Sequence, residues 1–214
     1  MEYTSYIENQ EKYFKNGETL PISKRKKLLK SLKKEILSNE DKIFKALNND
    51  LKKCNYETYL SEIGILITEI NLFLKNIDKW AKPKKVKSSL LSFPSSDYIY
   101  SEPYGKILVI SPWNYPFQLA ILPVLSAVAA GNTVVLKPSE HAPHTSKLVK
   151  EIIESVFEKS HVLVIEGAAE TAAKLLEYRW DYIFFTGSVR IGKIIAAAAA
   201  KHLTPTTLEL GGKN

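Results

Sequence analysis

One cysteine, Cys54, in 214 residues leaves no partner for an intrachain disulfide. That removes the disulfide-framework classes and suits a reducing compartment. No stretch of about 18 apolar residues runs free of charge, so none reads as a transmembrane helix. The longest weakly charged stretch, 107–135, is broken by prolines, by Asn114 and Gln118, and by Gly131. The opening residues, MEYTSYIENQEKYF, carry acid early and lack the apolar core of a signal peptide. His141, His144, His161 and His202 show no ligand spacing, so no metal is expected. These absences lead us to expect a soluble, cytoplasmic protein with no membrane partner.

What is present is ordinary for a globular chain: 45% hydrophobic and 25% charged residues, in a length suited to one large domain or two small ones. The net charge of +7 suggests a nucleic acid, but its location argues otherwise. Residues 24–53 hold 11 Lys/Arg against 4 Asp/Glu, the entire excess. These lysines alternate with Leu and Ile at helical spacing, as a solvated face does, and aromatics that would stack bases are missing among them. No nucleic-acid partner is expected.

Residues 1–80 read as helical. Leu28, Leu29, Leu32, Ile36 and Leu37 share one face, and Ile43, Phe44, Leu47 and Leu51 repeat the pattern. Leu60, Ile63, Ile67, Ile70, Leu74 and Ile77 form a long stripe ending at Trp80. Gly17 and Pro21 part the first helix from the second, whose expected N-cap is Ser23. Residues 81–96 mix Lys, Pro and Ser without a period, as a linker or extended arm does, and 96–104 alternates as an exposed strand.

From Gly105 the texture changes. Short apolar runs at 106–110, 133–136, 162–165, 182–185 and 206–210 are separated by helical patterns at 117–130, 144–157, 168–178 and 190–201. This alternation predicts a doubly wound α/β fold, a mostly parallel, Rossmann-like sheet of five strands with helices on both faces. The helix at 117–130 is apolar almost all round and hence buried; Pro123 is expected to kink it and Gly131-Asn132 to end it. The expected plan is a helical segment 1–80, a linker and oligomerisation arm 81–104, and a nucleotide domain 105–214.

In such a sheet ligands bind beyond the carboxyl ends of the strands. The first strand ends in SPWNYP (111–116), where two prolines bracket Asn114. Its amide could donate to a developing oxyanion, or cap a turn. The second ends in LKPSE (136–140), where Lys137 and Glu140 either grip ribose hydroxyls or form an exposed ion pair. The third ends at Glu166-Gly167. The fourth breaks into Gly187-Ser188 and feeds a helix opened by Gly192, an anion seat built from unpaired amides and a helix dipole. Residues 187–193 match the GxxxxGK of an ATP-binding P-loop, but position 194 is Ile where a Mg²⁺-holding Ser or Thr belongs. A dinucleotide pyrophosphate is the better occupant. The fifth strand ends in Glu209-Leu210 before a double glycine, which gives a general base or a plain loop carboxylate.

Taken together, SPWNYP (111–116), LKPSE (136–140), FTGS…G (185–192) and LELGGK (208–213), in this order and spacing, resemble the NAD(P)-dependent aldehyde dehydrogenase family. The lead, with ALNNDLKK (46–53), SEIG (61–64), WAKPKKVK (80–87) and YSEPYG (100–105), is similar to the class 3 branch, so the resemblance covers nearly the whole chain. It implies oxidation of a small-molecule aldehyde to a carboxylic acid through a cysteine thioester, with NAD preferred and NADP tolerated. By the same resemblance, Asn114 would donate to the oxyanion, and Glu209 would activate the water that hydrolyses the thioester. Lys137 and Glu140 would hold the adenosine ribose, and Gly187 and Ser188 would lie against the pyrophosphate with Gly192 at the helix start. Leu210 would meet the nicotinamide through its backbone, and Trp113 and Gly167 would complete the cofactor site.

The family's nucleophilic cysteine lies beyond the ELGG motif, and the last residue here is Asn214. Cys54 precedes the nucleotide domain on a basic helix, away from any base or hydride acceptor, and is not expected to be that nucleophile. The expectation is a cofactor-binding half, inactive alone, that forms a homo-oligomer through its bare sheet mouth and the arm near Tyr98. The alternative is a non-catalytic nucleotide-binding module.

Overall fold

The computed structural model describes residues 2–212. The chain opens with helices α1 (Thr4–Lys15), α2 (Ile22–Ser38), α3 (Glu40–Leu51) and a short α4 (Asn55–Thr58), which runs through a π-turn at Tyr59–Ile63 into α5 (Gly64–Trp80). A ribbon of two antiparallel strands follows, β1 (Lys84–Val86) and β2 (Asp97–Ile99). Strands and helices then alternate: β3 (Lys106–Ile110), α6 (Gln118–Ala130), β4 (Thr133–Lys137), α7 (Pro143–Val156), β5 (Val162–Val164), α8 (Ala169–Leu176), β6 (Tyr182–Gly187), α9 (Val189–Ala200) and β7 (Thr206–Leu210). The last five strands form one sheet in the order β5-β4-β3-β6-β7, with every neighbouring pair parallel. The expected α/β sheet is present, with element ends displaced by a residue or two.

The unbroken apolar strands serve both faces of the sheet, because successive side chains point to opposite sides. Ile107, Val109, Val134, Leu136, Val162 and Val164 face one core, while Leu108, Ile110, Val135, Leu163, Ile183 and Phe185 face the other. The first core continues through α6 and α7 into Leu29, Leu32, Ile36, Ile43, Leu47 and Ile70 of the helical lead. This sandwiching explains why α6 is apolar on all sides. The second core takes in Ile7 of α1, Leu175 of α8 and Ile195 of α9.

Several local expectations are corrected. Helix α2 starts at Ile22 behind Pro21, with no side-chain cap, so Ser23 is not its N-cap. Leu37 and Leu60 leave their stripes and are 45% and 54% exposed. The π-turn shifts the phase ahead of α5, which brings Leu66 to full burial instead. Part of the expected linker is the strand β1, and the exposed strand shortens to β2. Helix α6 continues through Pro123 and ends as expected at Gly131, whose φ of +95° suits a glycine C-cap.

Two carboxylates of the helical lead cap helices of the sheet. Asp50 accepts from the His144 and Thr145 amides at 3.2 and 2.7 Å, at the start of α7. Glu62 accepts from the Phe117 and Gln118 amides at 2.9 and 3.1 Å, at the start of α6. Each satisfies amides that a helix start leaves without intrahelical partners.

Candidate functional site

Because the five strands run parallel, their carboxyl ends share one edge of the sheet. The chain builds outward from β3 to β4 and β5, then returns to the other side of β3 with β6, so the order reverses between β3 and β6. Ligands of doubly wound sheets sit at such a reversal. The loop 111–116 leaves β3 on one side of it, and Gly187-Ser188 leaves β6 on the other.

Trp113, Asn114 and Tyr115 are exposed at the tip of the first loop, while Pro116 and Phe117 turn inward. The loop is anchored from below. The Lys53 ammonium donates to the Asn114 carbonyl at 3.0 Å and stands 4.0 Å above the Tyr115 ring. It also pairs with Glu62 at 2.5 Å, with both side chains buried. Asn114 is therefore held by its backbone, with its side chain at the exposed mouth.

Lys137 ends β4 in register with Ile110, and the Ser111 amide donates to its carbonyl at 3.2 Å. Its buried ammonium pairs with Glu140 across the turn. Partial burial pushes the Glu140 carboxyl up, but the Lys137 hydrogen bond and a backbone amide outweigh it and hold the carboxyl below its ordinary range. The pair is thus half-buried, more than the exposed turn pair that sequence alone allows. The turn is further tied by Ser146 Oγ, which donates to the Ser139 carbonyl at 2.7 Å.

Gly167, after β5, has φ near +150°, and Thr171 occupies the space a side chain would need. At the end of β6, a Cβ on Gly187 would stand 2.5 Å from Phe185 Cζ. Ser188 is the N-cap of α9, its hydroxyl accepting from the Ile191 amide at 3.4 Å. Helix α9 begins at Val189, so Gly192 lies inside its first turns rather than at its start, and Lys193 is exposed on the helix. A P-loop needs its GK within the phosphate loop, and here that loop is too short, which adds to the objection from Ile194.

On β7, Glu209 is paired with Thr186 and Leu210 with Gly187. The Gly211 amide extends the pairing to the Gly187 carbonyl at 3.2 Å. Glu209 is exposed and lines a mostly apolar cavity of about 660 Å³ with Thr186, Phe184, Leu119 and Pro123. Lys213, which completes the LELGGK motif, lies outside the described residues.

The sheet thus brings Trp113, Asn114, Lys137, Glu140, Gly167, Gly187, Ser188, Glu209 and Leu210 to a single edge. Cys54 is exposed and follows Lys53 directly, outside that edge's strands. Sequence reasoning missed Lys53 and Glu62. Lys53 looked like one more lysine of a solvated face, and Glu62 stands in a π-turn where helical spacing carries no burial signal. Among the described residues there is no cluster of metal-binding side chains and no helix long and apolar enough to cross a membrane.

Comparison with known proteins agrees with this geometry. The chain matches the aldehyde dehydrogenase family over residues 1–214. It is 46% identical to aldehyde dehydrogenase family 3 member H1 of Arabidopsis thaliana, over 100% of this chain and 44% of that protein. A substrate-bound structure of AldH from Staphylococcus aureus superposes with a TM-score of 0.96 at 43% identity, over 99% of this chain and 46% of that one. A betaine aldehyde dehydrogenase of the same organism in complex with NAD⁺ does so with a TM-score of 0.85 at 29% identity, over 98% and 43%. The chain therefore spans a little under half the length of the proteins it matches. With its strand-end motifs gathered at one sheet edge and its family match running from first residue to last, the chain belongs to the aldehyde dehydrogenase family.

Proposed function

We propose that this chain supplies the cofactor-binding half of an enzyme that oxidises an aldehyde to a carboxylic acid through a cysteine thioester. The observation that carries this reading is the convergence of five strand ends around the sheet's reversal point, each bearing the residue type its part of the chemistry needs.

The residues suit a dinucleotide. Gly187 leaves backbone bare at the start of α9, where the helix dipole and first-turn amides favour an anion. Lys137 and Glu140 offer a donor and an acceptor for ribose hydroxyls, and the Glu140 charge repels a 2′-phosphate, which favours NAD over NADP. Leu210 would present backbone to the nicotinamide, with Trp113 and Gly167 bordering the site. When bound, the nicotinamide would accept the hydride. Asn114 would donate its amide to the oxyanion of the hemithioacetal, a contact whose loss typically costs about 3 kcal/mol of transition-state stabilisation. Glu209 would take a proton from the water that attacks the thioester, so the product is a free acid. The nucleophilic thiol comes from outside this segment, and Cys54 is not it.

Aldehyde-dependent NADH production tests the reading. The isolated chain should produce none, and joining it to a thiol-bearing half should restore the activity. Turnover by the isolated chain that survives Cys54→Ser would overturn the assignment. We also propose a homo-oligomer, assembled through the exposed ribbon, in a reducing cytoplasmic setting.

A further inference from the structure

The most buried ion pair among the described residues lies beneath the loop that carries Asn114. Glu62 is fully buried and Lys53 is 7% exposed. One Glu62 oxygen accepts from the Lys53 ammonium at 2.5 Å. The other accepts from the amides of Phe117 and Gln118 at 2.9 and 3.1 Å. The same ammonium donates to the Asn114 carbonyl at 3.0 Å and lies 4.0 Å over the Tyr115 ring. Two side chains thus fix residues 114, 115, 117 and 118. Pro112 and Pro116 restrict the backbone between and before them.

The placement is built with care. Helix α6 has no capping bond from its own N-cap residue, and Glu62 supplies one from 55 positions upstream. Glu62 stands in the π-turn Tyr59–Ile63, closed by the Gly64 amide on the Tyr59 carbonyl. Such turns are rare and are frequently found at functional sites. Lys53 is reached through Lys52, a left-handed residue with φ of 58° that ends α3. A buried pair of this kind commonly adds little net stability over an apolar pair of equal size, whereas its contacts here tie the loop at Asn114 to the start of α6.

We propose that Lys53 and Glu62 are positioning residues that set the 111–116 loop, and with it the Asn114 amide, for oxyanion stabilisation. This rests on the reading of Asn114 given above. Neither residue touches the reacting atoms. Their effect passes through the Asn114 carbonyl and the first amides of α6, which together leave the Asn114 side chain a narrow arc at the mouth.

The test uses the enzyme with its thiol-bearing half, with rates expressed per thiol titrated in the first-turnover burst so that misfolded protein does not count. Glu62→Gln and Lys53→Met should each lower kcat by about 10–100-fold, the scale of a misplacement near 1 Å, with any rise in KM for NAD smaller than that loss. The double variant should be little worse than either single one, and Lys53→Arg should recover part of the loss. In the isolated chain, Glu62→Gln should speed amide exchange at Phe117 and Gln118 by about tenfold or more and leave Val135 in the central sheet unaffected. Should Glu62→Gln fail to fold, Glu62→Asp carries the same expectation. The proposal is overturned if folded Glu62 and Lys53 variants keep full kcat while Asn114→Ala loses it. If Asn114→Ala itself keeps full kcat, the oxyanion reading is what fails, and the positioning role falls with it.

Discussion

Gly192 and Leu210 meet where α9 crosses the end of β7: a Cβ on Gly192 would stand 2.6 Å from Leu210 Cδ2. The glycine therefore serves close packing of the helix against the strand whose next turn carries the Gly211-Gly212 backbone. It joins the glycine expected at the start of the pyrophosphate-facing helix to the residue expected at the nicotinamide.

Gly192→Ala separates stability from binding. Alanine is worth up to about 1 kcal/mol over glycine within a helix, and Leu210 is a flexible, 41% exposed side chain that can move aside. The melting temperature should hold or rise. Displacing Leu210 should nonetheless weaken NADH affinity several-fold, as measured by fluorescence titration. Unchanged affinity would leave Gly192 with a packing role only.

Glu140→Gln should shift cofactor choice. Removing the carboxylate takes away repulsion against a 2′-phosphate and leaves the charge of the buried Lys137 ammonium unbalanced. The affinity ratio of NADP to NAD should rise by about tenfold. Parallel titrations with the two reduced cofactors measure it, and an unaltered ratio would remove Glu140 from the ribose site.

His161 should make the fold acid-sensitive. It is 1% exposed and packed against Tyr13 and Phe157 at ring distances of 5.4 and 5.7 Å. Burial pushes its imidazole down from 6.5 to about 4. Between those values the unfolded chain binds a proton that the folded chain refuses, so stability falls as pH drops from 6.5 towards 4, by about 3 kcal/mol in full. Urea unfolding near neutrality and near pH ~4.5 should show that loss, and His161→Phe should reduce it. An equal loss in the variant would assign the acid sensitivity to the carboxylates.

The ribbon should drive self-association. Leu90, Leu91 and Phe93, between β1 and β2, are 93%, 100% and 83% exposed. Exposed apolar tips beside an open strand edge favour pairing with another copy. In sedimentation velocity at micromolar concentration, the chain should run as an oligomer, and Leu91→Ser with Phe93→Ser should shift it toward monomer. A monomeric parent chain would refute the arm.

The central sheet was readable because parallel strands covered on both faces leave unbroken apolar runs such as Val134, Val135 and Leu136, with turns between them. Its strand-end motifs were readable because they stand at fixed offsets from those runs. The floor of the site was not. Lys53 and Glu62 become partners only when α3, a left-handed residue and a π-turn bring them together beneath the 111–116 loop and the start of α6, and none of these leaves a period. Ser23 failed as a cap for a similar reason: Pro21 already presets the backbone one residue ahead of Ile22 and starts the helix earlier.

Titration of the isolated chain with NADH, followed by NAD⁺ and ATP as competitors, tests the central claim most directly. Saturable NADH binding is expected, displaced by NAD⁺ but not by ATP, weakened by Glu140→Gln and Gly187→Val and indifferent to Lys193→Ala. No NADH binding, or displacement by ATP that depends on Lys193, would contradict the assignment of this sheet edge to a nicotinamide dinucleotide.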